Sequence, residues 1–135
     1  MENQTQKQKT RELDLYMAQK VLGNKTYNDK NGQPREMLES GQSRPLRSYS
    51  SDMGAAWEVV EKMGISILPV EQGWFALVGN AKGWESPADF INYLQTADFA
   101  HSGAAVGESA AATICIAAMK AIERRDSDNA ETFLN

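Results

Sequence analysis

Between Tyr49 and Gly64 apolar side chains recur at helical spacing, with Met53, Ala56, Trp57, Val60 and Met63 stepping along one face. The pattern predicts a core helix with these five buried and Glu58, Glu61 and Lys62 on its solvated side. Ser50, Ser51 and Asp52 offer side-chain oxygens to the free amides of the first turn. Asp52 also places negative charge at the positive end of the helix dipole, and Gly64 stands where a left-handed cap is needed.

The rest of the chain falls into place around this helix. Residues 1–9 are polar and Gln/Lys-rich and are expected to be a disordered tail. A helix is predicted from Thr10 to Gly23, with Leu13, Met17 and Val21 as its apolar stripe. Residues 24–48 show little periodicity and read as a long loop that delivers Arg44 and Arg47 beside the start of the core helix. The runs 65–70 and 74–79 read as two strands joined by a turn at Glu71, Gln72 and Gly73, and Pro69 puts the first at an edge. A turn at 79–83, a helix starting at Ser86 and Pro87 with Phe90, Tyr93 and Leu94 apolar, and a third strand within 99–106 follow. The last helix, 109–123, carries Ala111, Ile114, Cys115, Ala118, Met119 and Ile122 on one side, with Arg124 and Arg125 at its C-terminal end. Residues 126–135 read as a polar tail. The order predicts a single α+β domain over 10–125, with helices on a small antiparallel sheet. Three strands make a narrow sheet, so self-association to extend or cover it is expected.

Composition narrows the class. The mean hydropathy is -0.51, and no apolar run approaches the roughly 20 residues of a membrane helix. The N-terminus lacks an apolar signal segment and there is one cysteine, so a cytoplasmic protein is expected. Residues 1–48 hold nine Lys/Arg against six Asp/Glu, a balance of +3, and the remainder holds five against twelve, or -7, giving the total of -4. The basic half suits an anionic partner, while the acidic total argues against a nucleic-acid polymer.

No catalytic or metal constellation stands out. His101 is the only histidine, which removes two-histidine metal sites. Cys115 lies on the apolar side of its helix and reads as a small core residue. Gly79 to Gly83 lacks the spacing and the Lys-Ser/Thr pair of a P-loop. Glu58, Glu61 and Asp52 are accounted for by a solvated face and a helix start, so no enzyme, cofactor or metal is expected. Trp74 and Phe75 point to opposite faces of their strand, which leaves one of them free to stack on a base. With Arg44 and Arg47 on phosphate and Tyr49 and Ser51 framing the helix start, these residues compose a nucleotide pocket. The plainer reading of the same residues is solvated loop arginines and aromatics filling a covered sheet.

Three segments carry a resemblance. They are Arg11-Glu-Leu-Asp14 through Lys20-Val-Leu-Gly23, then Tyr49-Ser-Ser-Asp52 with Ala55-Ala-Trp57-Glu-Val-Val-Glu-Lys62, and Ala112-Thr-Ile-Cys-Ile-Ala-Ala-Met-Lys-Ala121. Together they resemble the phage ABA-sandwich domain family. The resemblance implies an α/β/α sandwich with a small antiparallel sheet between helices. It also implies a phage-encoded, non-catalytic protein of the host cytoplasm. The family is similar to, and includes, sponge-type Thoeris anti-defence proteins, so the implied role is sequestration of a cyclic nucleotide or cyclic ADP-ribose-type immune signal. A protein–protein interaction module without a small-molecule ligand is the alternative. Ile116 stands where the family carries an arginine after the helical cysteine.

Overall fold

The computed structural model describes residues 2–78 and 103–134, with side chains over 7–78 and 103–123. The expected turn at 79–83, the helix start at 86–89 with Phe90, Tyr93 and Leu94, and Trp84 and His101 lie outside the described residues. The fold is mixed α+β, with three helices and two small antiparallel sheets of three strands among the described residues.

Helix α1 (Glu2–Tyr16) runs on into a π-helical turn (Met17–Val21), and so begins well before Thr10. Its first residues, expected to be disordered, are largely Gln and Lys, straight-chain residues that lose little rotamer freedom in a helix. The π turn closes where the Leu22 amide donates to the Met17 carbonyl five residues back, at 3.0 Å. Gly23 then takes a φ of 71°, and the Asn24 amide reaches the Ala18 carbonyl at 2.8 Å, ending the helix at the expected residue.

Residues 24–48 are no loop. They fold into strands β1 (Lys25–Asn28), β2 (Pro34–Met37) and β3 (Ser43–Pro45), paired in that order. Two tight connections of the same build make this possible. In one, Asp29 N–H donates to Gln33 O at 2.9 Å and Gly32 takes a φ of 77°; in the other, Leu38 N–H donates to Gln42 O at 2.8 Å and Gly41 takes 91°. Each is a three-residue hairpin loop with a left-handed glycine at its last position. The Asp29 carboxylate tightens the first further by accepting from the Asn31 and Gln33 amides.

Helix α2 (Met53–Met63) has the predicted ends: the Asp52 side chain accepts from the Gly54 amide at 3.1 Å, and Gly64 caps the other end with a φ of 69°. Its buried face is rotated from the predicted one. Ala55, Ala56, Val59 and Val60 are buried, whereas Trp57 is 50% exposed and Met53 41%. The side of α2 that reaches the core is built of two alanines and two valines, and it packs against the last helix, α3 (Ala110–Leu134), which buries Ala111, Ile114, Cys115, Ala117, Ala118 and Ile122; the indole stays on the uncovered edge.

Strands β4 (Ile65–Val70), β5 (Gly73–Val78) and β6 (Ala104–Gly107) form the second sheet, with β5 central and Pro69 on the edge strand as expected. The β4–β5 turn is confined to Glu71 and Gln72, and Gln72, not Gly73, takes the positive φ of 65°. Gly73 serves close approach instead: a Cβ there would sit 2.5 Å from the Gly107 carbonyl oxygen on β6. Gly73→Ala therefore has to push two backbones apart, and a thermal melt should show a loss of about 1–3 kcal/mol. Ile114, Cys115, Ala118 and Ile122 of α3 are buried along the predicted face, and α3 lies across this sheet.

Candidate functional site

The first sheet buries a charge. Thr26, Glu36 and Arg44 are cross-strand neighbours, and Glu36 at their centre is fully buried. Its carboxylate accepts from Tyr49 Oη at 2.6 and 2.8 Å, from Asn24 Nδ2 at 2.7 Å and from the Arg47 amide at 3.0 Å, with Arg44 Nη2 at 3.5 Å. Burial pushes this carboxyl up, but the hydrogen bonds and the Arg44 charge outweigh burial and leave it below the usual range. Burial and the neighbouring carboxylate raise Tyr49, so its hydroxyl stays a donor at every physiological pH.

Arg44 and Arg47 converge on the same partner. Arg44 Nη2 and Arg47 Nη1 bind the two oxygens of Glu58 on α2 at 3.0 and 2.9 Å. Their positive charge is therefore matched by Glu36 and Glu58 within the protein. A cleft of about 470 Å³ beside Arg44 is bordered by Glu39, Glu58, Glu61 and Lys62, so carboxylates outnumber cations around it. An anion gains little there.

A different cleft has the opposite balance. About 510 Å³ in volume, it lies between α1 and the turn that leads into α2, bordered by Lys7, Thr10, Arg11, Asp14, Ser48 and Ser51. Its one carboxylate is turned inward: Asp14, only 2% exposed, accepts from Ser50 N–H at 2.8 Å and Ser50 Oγ at 2.7 Å. Arg11 Nη1 approaches the second Asp14 oxygen no closer than 4.0 Å and remains open to solvent. Burial raises the Asp14 pKa above its usual value against the pull of the Ser50 hydrogen bonds. The cleft thus offers two cationic side chains and two serines at the approach to a helix N-terminus, a setting suited to phosphate oxygens.

Of the residues singled out by sequence, Arg44, Arg47 and Tyr49 come together, but around Glu36 and Glu58. Ser51 borders the cationic cleft. Trp74 and Phe75 are half-buried on β5 in the other sheet and border neither cleft. Lys7 and Asp14 escaped sequence reasoning, although a signal for Asp14 exists. Asp14, Met17, Ala18 and Val21 share the buried helical face, and a carboxylate on such a face must find donors.

No protein-family model matches the chain, and no curated protein matches it. The fold, however, has a counterpart. A crystal structure at 2.0 Å of a phage protein from Bacillus cereus ATCC 14579 is similar over 84% of this chain and 87% of that one. Its TM-score is 0.56 at 17% sequence identity, a likeness of fold. Two segments that carry the ABA-sandwich resemblance, Arg11 to Asp14 and Tyr49 to Asp52, meet in space through the Asp14–Ser50 hydrogen bonds. Cys115, from the third, is buried, and burial together with the Asp14 charge pushes its thiol up to about 12. It stays protonated and unreactive at neutral pH. No helix among the described residues is long and apolar enough to cross a membrane.

Proposed function

We propose that this chain is a phage-encoded, non-catalytic binding protein of the ABA-sandwich type, which sequesters a cyclic nucleotide or cyclic ADP-ribose-type immune signal in the host cytoplasm. The carrying observation is the cleft between α1 and the start of α2, where Lys7 and Arg11 face a single carboxylate that is already held by Ser50. Phosphate oxygens would bind Lys7, Arg11 and the Ser48 and Ser51 hydroxyls, while the matched pairs of Arg44 and Arg47 keep the adjoining sheet in place. The fold likeness to a phage protein and the meeting of two resemblance segments at this cleft support the reading. A protonated, buried Cys115 supports capture without chemistry.

The test is calorimetry of the full chain against cyclic ADP-ribose isomers and cyclic di- and trinucleotides, followed by recovery of the ligand from heat-denatured protein. Binding with intact recovery is expected, and Lys7→Glu with Arg11→Glu should weaken it about 100-fold or more, since each charge-assisted contact contributes about 1.5–3 kcal/mol. Unchanged affinity in that double variant would remove the cleft from the site, and an altered ligand would mean an enzyme. The second reading, a module that binds another protein, is favoured by the exposure of Trp57 and Met53 on α2. Silence across the whole ligand panel would move the choice to it.

A further inference from the structure

The outer face of the first sheet is built differently from the inner one. The register sets Lys25, Met37 and Ser43 in one row across β1, β2 and β3, and Tyr27, Arg35 and Pro45 in the next. Side chains alternate along a strand, so these six share the face opposite Glu36. Arg35 is half-buried and the other five are exposed, among them Tyr27 at 41% and Met37 at 38%. The face carries two cations and no carboxylate. Neither Lys25 nor Arg35 has a carboxylate partner among the described residues, and nearby Asp29 is occupied by the Asn31 and Gln33 amides. Ser43 Oγ accepts from Arg35 Nε at 3.1 Å and is hydrogen-bonded to Tyr27 Oη, so guanidinium and phenol are held in place before anything binds. At its Lys25–Met37 end the face opens on a cleft of about 490 Å³, lined by Leu22, Met37 and Leu38 with Glu39 beside them.

We propose that this face docks an extended acidic segment of a protein partner, with an apolar side chain seated in the adjoining cleft and two carboxylates following it at alternate positions. Charge complementarity and spacing name the occupant. Lys25 and Arg35 are diagonal neighbours, about 7–8 Å apart. Side chains two residues apart on an extended chain are about 7 Å apart, so alternate carboxylates pair with both cations while the side chain between them points to solvent. The next alternate position, past Lys25, falls at the cleft. Leu22, Met37 and Leu38 favour an apolar side chain there, and Glu39 repels a third carboxylate. Tyr, Arg and Met are also the residue types enriched where proteins meet. A nucleic-acid strand fits less well, because it brings a phosphate with every nucleotide to a chain of net charge -4 whose face has two cations. With three side chains anchored, the contact is smaller than a standard interface, and the complex is weak and transient. The surface stands apart from the Lys7–Arg11 cleft and needs no nucleotide.

Fluorescence anisotropy on the full chain tests it, with a labelled peptide in which one leucine and two glutamates alternate with serines. Saturable binding in the high-micromolar range, weakening as salt is added, is expected. Lys25→Glu and Arg35→Glu should each weaken it about tenfold or more, with unchanged far-UV circular dichroism because neither side chain is buried. Lys7→Glu changes the net charge by the same amount at the other cleft and should leave the affinity within about twofold of wild type. Serine in place of the peptide's leucine should cost about tenfold as well. Absence of binding overturns the proposal, and so does an affinity indifferent to the two charge reversals or to the leucine. Tighter binding of an oligothymidylate of equal length overturns it in favour of a nucleic acid.

Discussion

Replacing Glu36 with alanine is expected to destabilise the protein by about 3–5 kcal/mol, a large part of the roughly 5–15 kcal/mol that holds a domain of this size. The reason is the number of groups that depend on one carboxylate. Tyr49 Oη, Asn24 Nδ2 and the Arg47 amide all donate to it, and Arg44 loses one of its two carboxylate partners. Tyr49 is itself fully buried, so its hydroxyl cannot turn to water. Urea unfolding of the variant measures the loss directly. Glu36→Gln should lose less, because the amide oxygen keeps one acceptor, though it brings two donors into a site already full of them. The pH dependence has a definite sign. The folded Glu36 carboxyl lies below its ordinary value of 4.5, so its stabilisation is complete above that pH and disappears as pH falls through the lower folded value. Wild-type and Glu36→Gln unfolding midpoints should therefore converge in acid. Parallel profiles across that range would show that Glu36 contributes through shape alone.

The same residues explain which parts of the fold were legible. Helix α2 announced both its ends, because caps depend on one residue each, Asp52 and Gly64. The β4–β5 hairpin was legible because two short β-branched and aromatic runs flank a turn at Glu71 and Gln72, and the buried face of α3 because its apolar residues keep the helical period. The first sheet was not, because its inward positions hold Thr26, Glu36 and Arg44 where a strand pattern needs apolar residues. What remained readable was the turn chemistry, with Asn31-Gly32-Gln33 repeated nine residues later as Ser40-Gly41-Gln42. Trp57 failed for a different reason. Helical spacing fixes which residues share a stripe, but which edge of the stripe is covered depends on what packs against it, here α3, the π turn and β4. The pairing of Arg44 and Arg47 with Glu58 was beyond reach of spacing, since it requires knowing that β3 lies beside α2.

Asp14→Ala is the second variant with a large expected effect, about 2–4 kcal/mol, since it leaves both the Ser50 amide and the Ser50 hydroxyl without their buried acceptor. Its pH signature is the reverse of that of Glu36. The folded Asp14 carboxyl titrates above its ordinary value of 3.8, so the folded state holds the proton more tightly than the unfolded one. Its contribution is complete below 3.8 and declines as pH rises through the folded value. The gap in stability between wild type and Asp14→Asn, followed by urea unfolding, should therefore narrow from pH 3.8 upward. A gap that widens with pH would mean that the Ser50 hydrogen bonds outweigh burial. The consequence extends to the cleft. Asp14 ties α1 to the turn at Ser50, and that tie places Lys7 and Arg11 beside Ser48 and Ser51. In Asp14→Ala, which removes the acceptor of both Ser50 hydrogen bonds, ligand affinity should fall at neutral pH even though a negative charge near the phosphate has been removed. That direction separates positioning from electrostatics: removal of a like charge alone would raise the affinity.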